Sequence, residues 1–304
     1  MRILITGATG FIGKNLCEKL LAGKHELMAV SRQPVTELMK DAVLSRVKWI
    51  SSSLNLNEQG FDQLKAFGPE IVIDLAWEKI PDFSFAVSLE NLNNQLSFFN
   101  KILEIPSVKK VVVAGSAFEY NKKQGACIET EICIPHNHFT WAKNSLKEFL
   151  QFKCLEKNIT LAWTRIFYVY GPGQRSGSLI PTIIRSLLNG QSPGIRTPQN
   201  ANDFIYIDDV SLGLMALAEK NIPSGVYNLG SGEARKVGEV VRMVEKCIIV
   251  PDSVGDAVTL VPDSVGDENG DESWGDITHT TKTINWKPVV SLEEGIRKTI
   301  DRLR

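Results

Sequence analysis

The chain has 304 residues with 34 Lys plus Arg against 35 Asp plus Glu, a balance that removes any charge argument for a nucleic-acid or membrane-surface protein. A hydrophobic fraction of 43% and a charged fraction of 23% are ordinary for a soluble protein with a large core. Five cysteines, Cys17, Cys127, Cys133, Cys154 and Cys247, form no C-x-x-C pair and are odd in number, which fits reduced thiols better than a disulfide framework or a metal site.

In chain order, the first predicted strand is Arg2–Thr6, and it runs into Gly7, Gly10 and Gly13. Phe11–Leu21 then has the apolar spacing of an amphipathic helix. A strand that turns through glycines into a helix suits a dinucleotide pyrophosphate. The glycines allow a tight turn and close backbone approach, and the helix N-terminus offers unpaired N–H groups. With a strand expected from residue 2 and no apolar run approaching eighteen residues, the reading expects no signal peptide, no membrane segment and a cytoplasmic protein.

Further strands are predicted at Glu26–Ser31, Val47–Ile50, Glu70–Leu75, Lys109–Gly115 and Thr160–Ile166, with helices at Leu89–Leu103 and Trp141–Lys157 between them. This alternation predicts an α/β fold, a doubly wound parallel sheet of the Rossmann type with helices on both faces. From Tyr168 the pattern changes: a loop at Gly171-Pro-Gly173, a helix at Leu179–Leu188, then a short strand at Asp203–Ile207 before a helix through Leu217. The expected division is a dinucleotide-binding domain of residues 1–167 plus about 203–218, and a smaller substrate-binding lobe of 168–202 plus 219–304. Val250–Asp256 recurs word for word at Val261–Asp267. Two copies are too few for a solenoid, and the aspartate spacing does not match a calcium loop, so an exposed duplicated loop is expected.

The second strand ends Ala29-Val30-Ser31-Arg32, where an acidic residue would hold the 2′-hydroxyl of NAD. No carboxylate stands at that corner of the sequence, and Ser31 with Arg32 suits a 2′-phosphate instead. NADP(H) is favoured, with NAD(H) the alternative in which Arg32 is a solvated arginine stacking on adenine.

Gly7-x-x-Gly10-x-x-Gly13, Asp74-Leu-Ala76, Ser116, Lys143, Tyr170-Gly-Pro-Gly173 and Asp203-Phe-Ile-Tyr-Ile-Asp-Asp209 occur in the order and spacing of one family. Gly230-Ser-Gly232, Asn285-Trp-Lys-Pro288 and Ser291-Leu-Glu-Glu-Gly295 extend the match over nearly the whole chain. As a set they resemble the extended short-chain dehydrogenase/reductase family, of the nucleotide-sugar epimerase and 4-keto-reductase type. Leu75-Ala-Trp-Glu78 and Phe118-Glu-Tyr120 are similar to bacterial dTDP-6-deoxy-L-talose 4-dehydrogenases. The resemblance implies hydride transfer between a nicotinamide and a sugar carbon, with a nucleotide-diphosphate sugar as partner. It also implies a homodimer built on the two long helices.

Residue by residue, the resemblance implies a cofactor site of Gly7, Thr9, Gly10, Phe11, Ile12, Gly13, Ser31, Arg32, Ser53, Leu54, Leu75, Ala76, Trp77, Ala114, Lys143 and Phe167. It implies a sugar site of Trp77, Phe118, Glu119, Tyr120, Tyr168, Arg175, Leu179 and Arg196. Ser116 matches the hydroxyl that holds the reacting oxygen. Lys143 matches the lysine that lowers a tyrosine's pKa and holds the nicotinamide ribose. That tyrosine belongs four residues earlier, where this chain has Phe139. Three readings follow: His136, His138 or Tyr120 replaces it; the chain binds both ligands with little or no turnover; or the residue was introduced to trap a complex. Two further departures are Asn202, where the family commonly has a phosphate-gripping arginine, and Ala117-Phe118, which argue against dehydration. Cys127 and Cys133 are read as ordinary thiols.

Overall fold

The computed structural model describes residues 1–121, 124–248 and 270–303. The duplicated segment at 250–256 and 261–267 lies outside these residues. The strands are β1 Arg2–Thr6, β2 Glu26–Ser31, β3 Lys48–Ser51, β4 Ile71–Asp74, β5 Lys110–Ala114, β6 Gln124–Cys127, β7 Thr160–Ile166, β8 Tyr168–Tyr170, β9 Ala201–Asn202, β10 Phe204–Tyr206, β11 Gly225–Leu229, β12 Arg235–Lys236 and β13 Glu272–Gly275. The α-helices are α1 Phe11–Ala22, α2 Val35–Leu38, α3 Glu58–Phe67, α4 Phe85–Ile102, α5 His138–Glu156, α6 Leu179–Leu188, α7 Ile207–Glu219, α8 Val237–Ile248, α9 Thr278–Ile284 and α10 Leu292–Leu303.

Seven strands form one parallel sheet in the order β11-β7-β5-β4-β1-β2-β3. The central strands are buried on both faces, with Ile3, Leu4, Ile5, Val111, Val112 and Val113 fully covered, as parallel strands between two helical layers must be. One face packs on Leu16 and Leu20 of α1 and on Val210, Leu214 and Leu217 of α7. The other packs on Leu64 of α3, Phe98 and Phe99 of α4, and Leu146 and Leu150 of α5. The predicted doubly wound sheet is observed. The chain turns back between β1 and β4, which opens a crevice beyond their carboxyl ends.

The predicted boundary near residue 218 leaves out a strand that belongs to the main sheet. β11 pairs in parallel with β7, Gly225 opposite Ala162 through Leu229 opposite Ile166. A sheet edge left open at β7 would strand its backbone N–H and C=O groups, and β11 supplies their partners. The remaining elements pack around a second core, where Ile180, Ile183 and Ile184 of α6, Val240 and Val244 of α8 and Ile296 of α10 meet Tyr170, Phe204 and Tyr206. Buried Asp203 ties this part to the sheet, accepting from the backbone N–H of Ser231 (2.6 Å), Gly232 (3.2 Å) and Gly275 (3.0 Å).

Both long helices begin earlier than their apolar spacing predicts. Asn137 caps α5, accepting from the Thr140 N–H at 2.9 Å while Thr140 Oγ1 accepts from the Asn137 N–H at 3.3 Å. The reciprocal cap satisfies two otherwise unpaired donors and starts the helix at His138. Phe139 and Lys143 therefore lie one turn apart on the same helical face.

Candidate active site

Gly7 has φ +68, and a Cβ there would sit 2.7 Å from the Leu75 carbonyl carbon. A Cβ on Gly13 would collide with the Gly7 carbonyl oxygen, while Gly10 N donates to that oxygen at 3.0 Å. Gly10 caps α1 without a side-chain hydrogen bond, leaving the first-turn amides open for an anion. This cradle, which any side chain would fill, fits a dinucleotide pyrophosphate. Beneath it Thr6 Oγ1 donates to buried Asp74, which Gln95 also contacts at 3.2 Å. The Ala76 N–H donates to Thr6 Oγ1 at 3.2 Å, and its carbonyl accepts from Gln95 Nε2 at 2.6 Å.

A cavity of about 790 Å³ opens from the glycine turn, lined by Gly7, Gly10, Phe11, Ile12, Gly13, Leu75, Trp77, Ala114, Ser116, Lys143 and Phe167 on its cofactor side. Phe118, Phe139, Tyr168, Arg175 and Leu179 line it further out. Most of the expected site residues are thus brought together. Thr9, Ala76, Ser31, Arg32, Ser53 and Leu54 lie outside this cavity, the last four around the carboxyl ends of β2 and β3. The Ser31 hydroxyl accepts from the Gln33 N–H at 3.1 Å.

Lys143 is buried, donates to the Ala114 carbonyl at 2.7 Å and stands 4.0 Å over the Trp77 ring. Burial pulls its amine down to about 8, opposed by the carboxylates of Asp74 and Glu119. The lysine is therefore cationic at neutral pH and loses its charge as pH rises through about 8. Dinucleotide affinity is expected to fall over that interval in the native chain and to stay flat in Lys143→Met, measured by calorimetric titration at a series of pH values.

Ser116 Oγ accepts from the Phe118 N–H at 3.2 Å, which leaves its own hydroxyl hydrogen free for a ligand oxygen. Phe139 is buried, edge-on to Trp77 at 5.5 Å and stacked obliquely on Phe83 at 4.8 Å. Phe83 comes from the loop before α4, and no motif marks it in the sequence. A second cavity of about 310 Å³ adjoins the first and is lined by Tyr120, His136, Asn200, Asn202 and Asp271 among others.

Three expectations are corrected. Glu119 is fully buried and lines neither cavity. It accepts from the Ser116 N–H (2.8 Å), Trp163 Nε1 (3.0 Å) and Arg165 Nε (3.2 Å), so its charge is spent inside the core. Arg196 is exposed and lines neither cavity. At the adenosine corner a carboxylate is present after all: Glu78, from beyond β4, pairs with Arg32 at 2.9 Å. Because β1 lies between β2 and β4, this pair reaches across the mouth of the cofactor crevice.

The replacements considered for the missing tyrosine also sort by geometry. Tyr120 donates its hydroxyl to Asn228 Oδ1 at 2.7 Å under the Arg165 guanidinium. His138 packs edge-on to Phe85 and lines neither cavity, while His136 lines only the smaller one.

The model of the NAD dependent epimerase/dehydratase family matches residues 3–230. The chain belongs to that family. Among its epimerase/dehydratase relatives, it is 25% identical over 314 residues to the dTDP-4-dehydro-6-deoxyglucose reductase of Escherichia coli, covering 99% of this chain and 97% of the relative. It is 25% identical over 247 residues to the dTDP-6-deoxy-L-talose 4-dehydrogenase (NAD(+)) of Aggregatibacter actinomycetemcomitans, covering 79% and 88%. The UDP-glucose 4-epimerase of Thermotoga maritima, solved with UDP-glucose, superposes with a TM-score of 0.81 at 25% identity, covering 100% of this chain and 99% of that one. The family's members here are nucleotide-sugar reductases, dehydrogenases and epimerases, as the sequence motifs imply. Among the described residues, no helix is long and apolar enough to cross a membrane, and no three His, Cys, Asp or Glu side chains are grouped to hold a metal.

Proposed function

We propose that the chain binds a nicotinamide dinucleotide in the glycine cradle and a nucleotide-diphosphate sugar in the larger cavity, and that it carries out hydride transfer at a sugar carbon, C4 being favoured. The observation that carries this reading is the meeting of Ser116, Lys143 and the glycine turn on one cavity wall. When bound, the nicotinamide supplies or accepts the hydride. Gly7, Gly10 and Gly13 with the α1 amides hold its pyrophosphate, Lys143 holds its ribose, and Ser116 orients the reacting oxygen. Trp77, Phe83 and Phe139 keep water from that end of the cavity. Arg175, whose Nη1 donates to the Ile80 carbonyl at 2.6 Å, places positive charge on the outer wall for the diphosphate, while neighbouring Lys79 is paired with Glu90 at 2.7 Å.

Phe139 favours a second reading, a protein that binds both ligands and turns over slowly or not at all. A panel of UDP-, dTDP-, GDP- and CDP-sugars with NADPH in a thermal-shift assay tests the binding, since a ligand of the folded state raises Tm. Rapid mixing of the best pair then reads turnover. Failure of every dinucleotide and sugar to raise Tm would remove the proposal.

NADP(H) remains the favoured cofactor, through Arg32. Its side chain is 64% exposed, and an exposed ion pair holds it to Glu78 by only about 0–1 kcal/mol, so it can swing to a 2′-phosphate. Glu78→Gln is expected to tighten NADPH binding relative to NADH, and Arg32→Ala to abolish the preference. Equal affinities in the native chain, or an unchanged Arg32→Ala, would leave Arg32 as a surface arginine.

The homodimer is retained on α4 and α5. Phe152 and Leu155 of α5 are 75% and 82% exposed, more apolar surface than a lone helix face usually shows. Light scattering at micromolar concentration should give twice the chain mass, and Leu155→Glu should halve it.

A further inference from the structure

With an apolar ring at residue 139, the proton that accompanies hydride transfer must come from elsewhere on the cavity wall. The strip shared by the two cavities is Ser116, Phe118, Ile166, Phe167 and Tyr168. Only two of these five carry a side-chain hydroxyl. Tyr168 is 40% exposed, its ring held edge-on to Phe118 at 5.9 Å and tilted against Phe204 at 5.9 Å. Its hydroxyl has no hydrogen-bond partner among the described residues. Phe118 joins the two groups: its N–H donates to Ser116 Oγ, and its ring touches Tyr168. On the strip that lines both cavities, Tyr168 is the one residue besides Ser116 that offers a hydroxyl to a substrate oxygen.

We propose that Tyr168 is the general acid that protonates the sugar oxygen held by Ser116, so that the chain acts as a ketosugar reductase. The inference rests on the functional reading above. In the step, a hydride from the bound reduced dinucleotide forms a C–H bond at the carbonyl carbon, and the C=O π pair moves onto oxygen. That oxygen takes the proton of Tyr168 Oη, so one O–H bond breaks on the phenol and another forms on the sugar. The dinucleotide is oxidised by two electrons, and the phenolate recovers a proton from water. Desolvation by the surrounding rings and the nearby Asp271 carboxylate hold the Tyr168 phenol above its ordinary value. The resting group is thus protonated, the form that donates. Oxidation of a hydroxyl would need the phenolate, which the same surroundings disfavour.

The test compares Tyr168→Phe with the native chain by two readouts. The first is calorimetric titration, in the presence of NADP⁺, of dTDP-4-dehydro-6-deoxyglucose and of its 4-deoxy counterpart, or of the same pair on the base that the ligand panel selects. Tyr168→Phe should weaken the keto sugar by about 5–10-fold, the worth of one hydrogen bond, and leave the 4-deoxy sugar unchanged. The latter binding also reports that the variant is folded. The second is ketosugar reduction with NADPH, which should fall by roughly 10²–10⁴-fold. Equal loss for both sugars, or a native reduction rate in Tyr168→Phe, would overturn the proposal and leave the functional reading standing. A native chain that binds both ligands and reduces no ketosugar overturns it too. A native chain that binds neither dinucleotide nor any nucleotide-sugar defeats the functional reading, and the proposal with it.

Discussion

Phe139→Tyr is expected to raise oxidation of a 4-hydroxy nucleotide-sugar by roughly 10²–10⁴-fold, the usual worth of one positioned general base. The new phenol would stand one helical turn from Lys143 on the same face of α5. That lysine is cationic at neutral pH, and its charge favours the phenolate that oxidation requires. The ring already has its place between Trp77 and Phe83, so the substitution adds one oxygen at the cavity surface rather than a new side chain. Reduction should gain less, because Tyr168 already donates the proton in that direction. Formation of reduced nicotinamide, followed with both ligands saturating, checks the result. No gain in either direction, with binding intact, would favour the protein that holds both ligands without chemistry.

Glu119→Ala should destabilise the fold by about 3–5 kcal/mol, the usual cost of stripping one partner from a buried ion pair. Arg165 is as fully buried as Glu119, and the rest of its surroundings offer the Glu129 carbonyl at 3.3 Å and the Tyr120 ring. Neither carries the lost charge. The same change also leaves Trp163 Nε1 and the Ser116 N–H without their acceptor. Glu119→Gln keeps an acceptor oxygen in the same volume and should cost less. Denaturant unfolding of the two variants beside the native chain gives the comparison, and an Ala variant as stable as the native chain would show that the network is already compensated by water. Because Glu119 holds the Ser116 backbone, Glu119→Gln should also slow turnover with cofactor affinity unchanged.

The architecture was legible before any coordinates because its signals are local. Gly7, Gly10 and Gly13 mark a turn where backbone must approach backbone, and the collision of a Cβ at Gly7 with Leu75 is the reason only glycine serves. Strand runs such as Arg2–Thr6 and Thr160–Ile166 coincide with the observed strands, since strands buried on both faces read as continuous apolar runs. The spacing of Phe139 and Lys143 announced a shared helical face and a missing proton. Helix starts were read late because caps such as Asn137 act through side-chain oxygens, which apolar periodicity does not register.

What only the tertiary structure decided are the pairings between residues far apart in the chain. Glu119 reads, by resemblance, as a sugar-site residue and is claimed instead by Arg165, 46 residues on. Glu78 reads only as the end of the Leu75-Ala-Trp-Glu78 motif, yet sheet order places it across β1 from Arg32. β11 reads as part of a separate lobe, and the open edge of β7 takes it into the main sheet. Tyr168 reads as one aromatic among several, and only the meeting of two cavities puts it on one strip with Ser116. A residue's periodicity reports which face it shows, whereas its partner is chosen by strand order and packing, where unpaired backbone edges and buried charges are too costly to leave unmet.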